Sequence, residues 1–225
     1  MALLLHIETA TEICSVALSE NEKLLSLHEE RSPNSHSATL TLLIEKVFAD
    51  AGRSMRNLDA VAVSAGPGSF TGLRIGVSTA KGLCYALERP LIAVPTMQAM
   101  AAGAVELMKN ESALYCSVLN SIKQEVYAAL YDFNLEEIIP ASPAENSLVE
   151  FIPHFKEHLV YFFGTGARKI PVNLYGKAET LPAFSNSAKD LIRVAEGLFN
   201  KHQFVSVEYF EPLYVKGFVT RVPAK

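Results

Sequence analysis

A glycine-containing segment near residue 70 is the part of this sequence with the clearest capacity for chemistry. It lies between an apolar strand and a helix predicted to run to about Glu88, and its small and polar residues are Gly66, Pro67, Gly68, Ser69, Thr71 and Gly72. Free backbone N–H groups in such a loop, together with the dipole of the following helix, can bind an anion. A tight turn that needs glycine for its backbone angles is an equally good interpretation. The residue types leave both alternatives open.

The segment matches none of the common catalytic or phosphate-binding motifs. A Walker loop requires Gly-Lys before Ser or Thr, but Gly72 is followed by Leu73 and Arg74 here, and the dinucleotide motif requires glycine where Thr71 stands. The Gly-x-Ser-x-Gly nucleophile elbow is absent because Ser69 directly follows Gly68. We therefore expect the two hydroxyls to bond to the loop backbone, and we predict no catalytic residue.

Histidines supply the other candidate chemistry. His154 and His158 have the i, i+4 spacing that can place two imidazoles on one metal ion, but the glutamate of the zinc hydrolase motif is missing. We interpret both as surface histidines. His6 and His36 stand apart in the sequence, and we expect core or capping roles for them. The sequence therefore predicts no metal site.

The elements that hold these residues follow a clear order in the first half of the chain. A helix is indicated by apolar residues at helical spacing and ends at Gly52; another helix follows the glycine segment, and a third is predicted with Thr96 as its N-cap. Strands are predicted at residues 2–8, 13–19, 23–30, 60–65 and 91–94. Two apolar strands on either side of a helix indicate a right-handed parallel crossover.

The second half repeats this order of elements without repeating the residues. Strands are predicted at 114–119, 125–131, 135–139 and 159–163, with a short helix opened by Ser142 and Pro143 and a last helix capped from Asn186 or Ser187. The division falls near Lys109, which gives lobes of residues 1–109 and 110–225. A duplicated βββαβα unit predicts an α/β, ribonuclease H-like fold with two small lobes, as in the actin, Hsp70 and sugar kinase superfamily.

Composition limits the class of protein. The 225 residues carry 20 basic and 24 acidic side chains, and a formal charge of −4 argues against autonomous RNA binding. Three cysteines without paired spacing favour a reducing, cytoplasmic compartment. We see no leader sequence and no apolar run of the roughly 20 residues needed to span a bilayer, so we expect no membrane association.

Several longer segments resemble the TsaB (YeaZ) family of bacterial proteins. They are the opening LLLHIETATEICSVAL, the glycine segment and its helix, PLIAVPTMQAMA, QEVYAALYD and PLYVKGFVT. The resemblance implies an actin-like fold and a role in forming the threonylcarbamoyl (t6A) modification of adenosine 37 in tRNAs that read ANN codons. It also implies a non-catalytic subunit that binds the transferase TsaD, its paralogue, with the small ATPase TsaE joining the complex.

The resemblance also predicts which functions this chain lacks. Two histidines bind the metal of the catalytic paralogue, and the aligned positions here are Thr96 and Met100, which are poor ligands for its metal. We therefore expect an inactive paralogue of a metal-dependent transferase, a class formerly described as glycoproteases. A metallopeptidase is an alternative function that these two residues disfavour.

Nucleotide binding is a separate prediction. Glu8, Thr9 and Thr11 are similar to the first phosphate-binding turn of the superfamily, and Gly164 and Gly166 could accept an adenine ribose or simply end a strand. The corresponding second turn, which often reads Asp-Ala-Arg in the family, is formed here by Asn120, Ser121 and Ile122. Because a carboxylate that could order Mg²⁺ is missing, we expect no cofactor on this chain alone. ATP or ADP at a partner interface stays open.

The leading hypothesis is a scaffold subunit that presents helices of its first lobe to TsaD. Gly76 and Gly82 lower the helix propensity of the second helix by about 1 kcal/mol each, which indicates a close approach by another backbone. The predicted contact residues are Leu40, Leu43, Leu73, Ile75, Val77 and Thr79. The same surface is predicted to close a homodimer, and tRNA is expected to bind through the complex. The main alternative is a stand-alone ATP-binding enzyme of the kinase superfamily.

Overall fold

The computed structural model describes residues 2–32, 35–121, 125–144, 148, 151–171, 176–181 and 184–213. Its strands are β1 (Leu3–Glu8), β2 (Cys14–Glu20), β3 (Lys23–Glu30), β4 (Ala60–Ser64), β5 (Leu91–Val94), β6 (Leu114–Asn120), β7 (Val126–Tyr131), β8 (Glu137–Ala144), β9 (Val160–Phe163) and β10 (Ala178–Thr180). Its helices are α1 (His36–Ala51), α2 (Phe70–Leu87), α3 (Thr96–Met108), α4 (Ile152–Glu157) and α5 (Ile192–Asn200).

The strands form two five-stranded sheets with the same topology. The order is β3-β2-β1-β4-β5 in the first sheet and β8-β7-β6-β9-β10 in the second. In each sheet the first three strands along the chain pair antiparallel and the last two join in parallel. The predicted α/β fold with a duplicated βββαβα order and two lobes is confirmed.

Alternation along the strands explains how the sheets are stacked. Leu3, Leu5 and Ile7 of β1 pack against α1 and α2, while Leu4 on the opposite face joins a central core. That central core contains α3, α5 and one face of the second sheet. The other face of the second sheet packs on Phe151 and on Phe155 of α4. Both sheets are therefore covered on both sides.

The start of the helix in the second lobe differs from the prediction. Ser142 and Pro143 lie in β8, and the helix that follows is α4, whose second residue is Pro153. Proline lacks the N–H that a central strand needs, but β8 is an edge strand, where that loss is tolerated. The predicted helix opening at Ser142 and Pro143 is therefore wrong.

Two predicted helix caps have different outcomes. Pro95, not Thr96, is the N-cap residue of α3, and the Thr96 hydroxyl instead accepts a hydrogen bond of 3.0 Å from the backbone N–H of Gly66. Ser187 does stand at the N-cap of a 3-10 turn over Ala188–Leu191 that leads into α5. The Asp190 carboxylate in this turn accepts from the Ser187 N–H at 3.1 Å.

The last described residues return to the first lobe. Residues 205–213, which we call the C-terminal strap, start where Val205 bridges to Leu91 of β5 and end where the Leu213 N–H donates to the Ala65 carbonyl at 2.8 Å. Val205, Val207 and Phe210 pack partly buried on the core between α2 and the first sheet. The predicted boundary near Lys109 stays a prediction, and the strap belongs by its packing to the first lobe.

The helices over the described residues were also compared with the length and hydropathy of membrane spans. None of them meets both requirements for crossing a bilayer.

Candidate functional site

A cavity of about 560 Å³ opens between the two lobes. The first lobe contributes the turn after β1, the start of α1 and the glycine segment, and the second lobe contributes the ends of β6 and β9. The lining residues are Ala10, Thr11, Glu12, His36, Ser37, Gly68, Ser69, Thr71, Gly72, Ile75, Leu119, Asn120 and Thr165. The structure therefore brings Thr11 and most of the predicted signature loop into one cleft.

The backbone donors of the signature loop are largely used inside the protein. The Gly66 N–H bonds to Thr96, the Ser69 N–H donates to the Ala10 carbonyl at 2.7 Å, and the Gly72 N–H donates to the Ser69 hydroxyl at 3.2 Å. The Ser69 side chain thus caps α2, as the sequence predicted for a loop-stabilising hydroxyl. Of the two alternatives for this loop, the structure favours the tight turn over the anion site.

Close packing explains why this region needs so many glycines. A Cβ on Gly68 would lie 2.6 Å from the Ala10 carbonyl, and a Cβ on Gly72 or Gly76 would collide with Thr9. Gly82 differs, because a Cβ there would meet no atom within 4 Å. The turn after β1 is therefore pressed against the first two turns of α2, and only Gly82 lacks an internal reason to be glycine among the α2 glycines.

Gly66 serves a different contact. Its φ of +99° lies in the region that favours glycine, and a Cβ there would stand 2.7 Å from the carbonyl oxygen of Leu213. The signature loop thus begins where the C-terminal strap ends. This contact between residues far apart in sequence could not be read from the loop residues themselves.

The predicted nucleotide contacts are only partly placed in the cleft. Glu8 and Thr9 are buried beneath its surface, and Gly166 is buried while Gly164 packs on Val118 and Met100. The Gly166 N–H donates to the Val118 carbonyl at 3.0 Å, as expected for a turn that ends a strand. Direct contact with a ligand is corrected for these four residues, because the protein's own atoms surround them. Thr11 is exposed and lines the cavity.

Glu8 is the most unusual acid near the cleft. Its carboxylate accepts a 2.6 Å hydrogen bond from the Ala10 N–H, which fixes the turn after β1. Burial raises the pKa of Glu8 to about 7, and the nearby Asp190 raises it further against the opposing effect of the hydrogen bonds. Asp190 has its own pKa raised to about 7 by burial. The structure therefore places Glu8 in a buried polar layer between the lobes.

The second-lobe turn contains an amide where the family often has a carboxylate. Asn120 receives a hydrogen bond from no ligand here; its N–H and its side-chain amide donate to the Thr165 hydroxyl at 3.0 Å and the Thr165 carbonyl at 2.9 Å. Ile122 lies outside the described residues. Among the described residues that line the cavity, Glu12 is acidic and none is lysine or arginine. Such a lining offers little to neutralise a triphosphate.

The positions aligned with metal-binding histidines have structural roles. Thr96 is buried and bonded to Gly66, and Met100 is buried with its methyl group against Gly164. Over the described ranges, no group of three His, Cys, Asp or Glu residues is placed to hold a metal ion. The donor set of Thr96 and Met100 does not fit the metal of the catalytic paralogue.

The histidines have separate surroundings. His6 is fully buried, shares a 2.7 Å hydrogen bond with the Ser19 hydroxyl, and has its pKa lowered to about 3 by burial. His36 is buried at the start of α1, 3.1 Å from the Thr11 carbonyl. His154 is half-buried on α4, and His158 follows that helix with an exposed side chain. The predicted core role of His6 and surface position of His158 match these positions.

The predicted partner contacts require a correction. Leu40, Leu43, Leu73 and Val77 are buried in the core between α1, α2 and the first sheet, so they cannot face outward. Ile75 and Thr79 are half-buried. A helix that packs on its own sheet and a helix that binds a partner both present apolar stripes, and the sequence could not separate the two.

The outward face of these helices contains different residues, which the sequence reasoning missed. Leu42 of α1 is 53% exposed and Tyr85 of α2 is 83% exposed, with Ser78 and Gly82 also exposed on α2. Leu42 falls outside the i, i+3, i+4 stripe of α1, and Tyr85 lies next to the buried Cys84. A large apolar side chain off the core stripe is the signal that could have identified this surface.

Comparison with known proteins gives consistent results. The TsaD family model, described as tRNA N6-adenosine threonylcarbamoyltransferase, matches residues 28–151. The chain is 32% identical to the Escherichia coli tRNA threonylcarbamoyladenosine biosynthesis protein TsaB, over 99% of each chain. The solved structure of YeaZ from Pseudomonas aeruginosa is 27% identical, with a TM-score of 0.81 over 95% of this chain and 100% of that chain.

A more distant structure shows the fold alone. The inorganic polyphosphate/ATP-glucomannokinase from an Arthrobacter strain is 13% identical, with a TM-score of 0.50 over 90% of this chain and 100% of that one. The two-lobed arrangement is thus similar to that of a sugar kinase, as the order of elements predicted.

Proposed function

Because this chain belongs to the TsaB family of tRNA threonylcarbamoyladenosine biosynthesis proteins, we propose that it is the non-catalytic subunit that binds and activates a TsaD-type transferase. In this role it holds the transferase in its active form during N6-threonylcarbamoylation of adenosine 37 in ANN-decoding tRNA. The small ATPase TsaE joins the pair. The tRNA is bound through the complex, in keeping with the net charge of −4 on this chain.

The observation that carries this proposal is the outward surface of α1 and α2. We call it the docking face and define it as Leu42, Ile75, Ser78, Gly82 and Tyr85. Leu42 and Tyr85 are large apolar groups left in solvent, and Gly82 lets a partner backbone approach without resistance from a side chain. Gly82 also lowers helix stability by about 1 kcal/mol with no compensating internal contact. A partner helix packed here would provide that compensation.

The same face is proposed to close a homodimer when the transferase is absent. A face used in both assemblies would make the homodimer and the heterodimer compete for it. Because two copies of one surface meet across a two-fold axis, the homodimer would place α2 against α2 of the second copy.

Lack of independent catalysis is part of the proposal. It is supported by the buried Thr96 and Met100 at the positions of the paralogue's metal ligands, and by a cleft whose described lining has no basic side chain. We propose that this chain binds no cofactor by itself and that ATP or ADP, where present, lies at a partner interface. The three free cysteines and a tRNA-modification pathway support a cytoplasmic location.

The test is binding to the cognate TsaD-type subunit, measured by size-exclusion chromatography and calorimetry at micromolar concentration. We expect the wild-type pair to co-elute and Tyr85→Ala to weaken binding by about tenfold, since a buried interface aromatic contributes more than 1 kcal/mol. Ile138→Ala is the matched control, because Ile138 is an exposed apolar residue on β8 of the other lobe. It should leave the affinity unchanged.

Three results would contradict the proposal. One is a wild-type pair that never co-elutes, and another is equal weakening by both variants, which would remove the link to the docking face. The last is ATP hydrolysis, phosphotransfer or metal-dependent proteolysis by the purified chain alone, which would favour the stand-alone enzyme or the metallopeptidase.

A further inference from the structure

The C-terminal strap runs beside α2 for most of the length of that helix. It begins near the carboxyl end of α2, where Val205 bridges to Leu91, and ends near the amino end, where Leu213 bonds to Ala65. Residues 205–213 are therefore antiparallel to α2, and the strap forms one long side of the docking face while α1 forms the other.

Lys81 is the side chain that ties the middle of the strap to α2. Its ammonium donates to two strap carbonyls, that of Glu208 at 3.0 Å and that of Phe210 at 3.2 Å. Hydrogen bonds from a charged donor are about twice as strong as neutral ones. The stem of Lys81 is half-buried, so this group is held in place on the flank of α2.

Next to this anchor, the strap and α2 enclose a surface notch. Its volume is about 380 Å³, and it is lined by Arg74, Val77, Ser78, Lys81, Phe210, Glu211 and Pro212. Ser78 belongs to the docking face, so the notch is continuous with that face. Tyr209, which is 76% exposed, follows directly after the carbonyl that Lys81 holds.

We propose that Lys81 is a positioning residue for partner binding, which it supports by pinning the C-terminal strap along α2. The strap then forms a wall of the docking face, with the notch open to a side chain of the transferase. The strap also carries this constraint to the signature loop, because Leu213 packs against Gly66. This inference rests on the proposed function, since it assigns a further part of the same interface.

The experiment compares Lys81→Met with Lys81→Arg in the full-length chain. We expect Lys81→Met to increase hydrogen exchange of the strap amides and to weaken binding of the cognate TsaD-type subunit by about tenfold, the effect of losing two charge-assisted hydrogen bonds. Lys81→Arg keeps two donors in reach and should restore affinity. The matched control is Lys201→Met, which removes an exposed lysine at the end of α5 and should change neither readout.

A second variant separates positioning from direct contact. Phe210→Ala removes an anchor that packs inward on the core while leaving Lys81 intact, and it should weaken binding in the same way. If only Lys81→Met weakens binding, Lys81 contacts the partner itself and the positioning role is overturned. Wild-type binding with unchanged affinity in a loosened Lys81→Met strap overturns this inference alone. Absence of wild-type binding overturns the proposed function and, with it, this inference.

Discussion

The two lobes solve the same structural problem up to one point and then differ. After the parallel strand next to its central strand, each lobe turns through glycines onto the end of that central strand: Gly68 packs on Ala10, and Gly166 packs on Val118 and Leu119. In the first lobe the chain then forms the 18-residue helix α2. In the second lobe, the described residues at this place form only a 3-10 turn of 3 residues, Ala167–Lys169.

This difference shows how a duplicated plan can acquire a one-sided function. Both lobes keep the strands and the glycine turn, which their cores require. A long helix with an exposed face is present only on the first lobe within the described part of the chain, and the docking face is built on it. Partner binding is therefore expected to depend on first-lobe residues, whereas the second lobe contributes to the cleft and the central core.

The largest effect is expected where α2 meets the turn after β1. Gly72→Ala would place a methyl group against the Thr9 carbonyl, so the helix or the turn must move. We expect a loss of about 1–3 kcal/mol in the free energy of unfolding, as for other overpacked cores. Urea denaturation followed by circular dichroism measures this loss.

Gly197→Ala on α5 is the control for Gly72→Ala, since a Cβ at Gly197 meets no atom within 4 Å. It should be neutral or slightly stabilising. Equal effects of the two variants would show that α2 does not depend on its contact with Thr9.

An intermediate effect is expected in the polar layer between the lobes. Burial raises the pKa of Asp190 to about 7, so the folded protein holds a proton that the unfolded chain releases above about pH 4. The contribution of this group to stability is therefore present at low pH and declines as pH rises to about 7. Asp190→Asn should flatten this decline by on the order of 2 kcal/mol.

Thermal and urea unfolding of Asp190→Asn between pH 5 and pH 8 would measure this change. Glu88→Gln, which alters an exposed carboxylate after α2, is the control and should leave the pH profile as in the wild type. An unchanged profile in Asp190→Asn would mean that Asp190 is ionised in the folded protein.

The smallest effect is expected on the outer side of α2. Gly82→Ala fills open space on an exposed helix, so it should raise the free energy of unfolding by about 0.5–1 kcal/mol. The shift in thermal midpoint of the isolated chain measures it. A destabilised Gly82→Ala protein would contradict the distinction drawn between Gly82 and Gly72.

The sequence predicted the first lobe better than the second for physical reasons. The α1 stripe ends at Gly52, which adopts the left-handed conformation with φ of +60°, and β4, α2 and β5 lie where the apolar pattern placed them. In the second lobe, Pro143 suggested a helix start although it occupies an edge strand, and Pro153 lies inside the real helix. Short elements with proline contain too few residues to establish a period.

The site was less predictable than the fold because its determinants are contacts between distant segments. The choice between an anion loop and a tight turn depended on Thr9 and Ala10, which lie far from Gly68 in the sequence. Likewise, Leu40 and Val77 have the residue types of a partner interface but are buried in the chain's own core. The sequence specified that these helices have an apolar face, and only the tertiary structure showed what covers it.

The C-terminal strap also bears on how the protein is made. Ribosomes deliver the chain from its amino end, and protein domains generally fold as units in that order during synthesis. Here Val205, Val207 and Phe210 complete the core of the lobe that is synthesised first. The nascent first lobe therefore emerges with part of α2 and the edge of β5 uncovered, and only release of the finished chain allows this lobe to close.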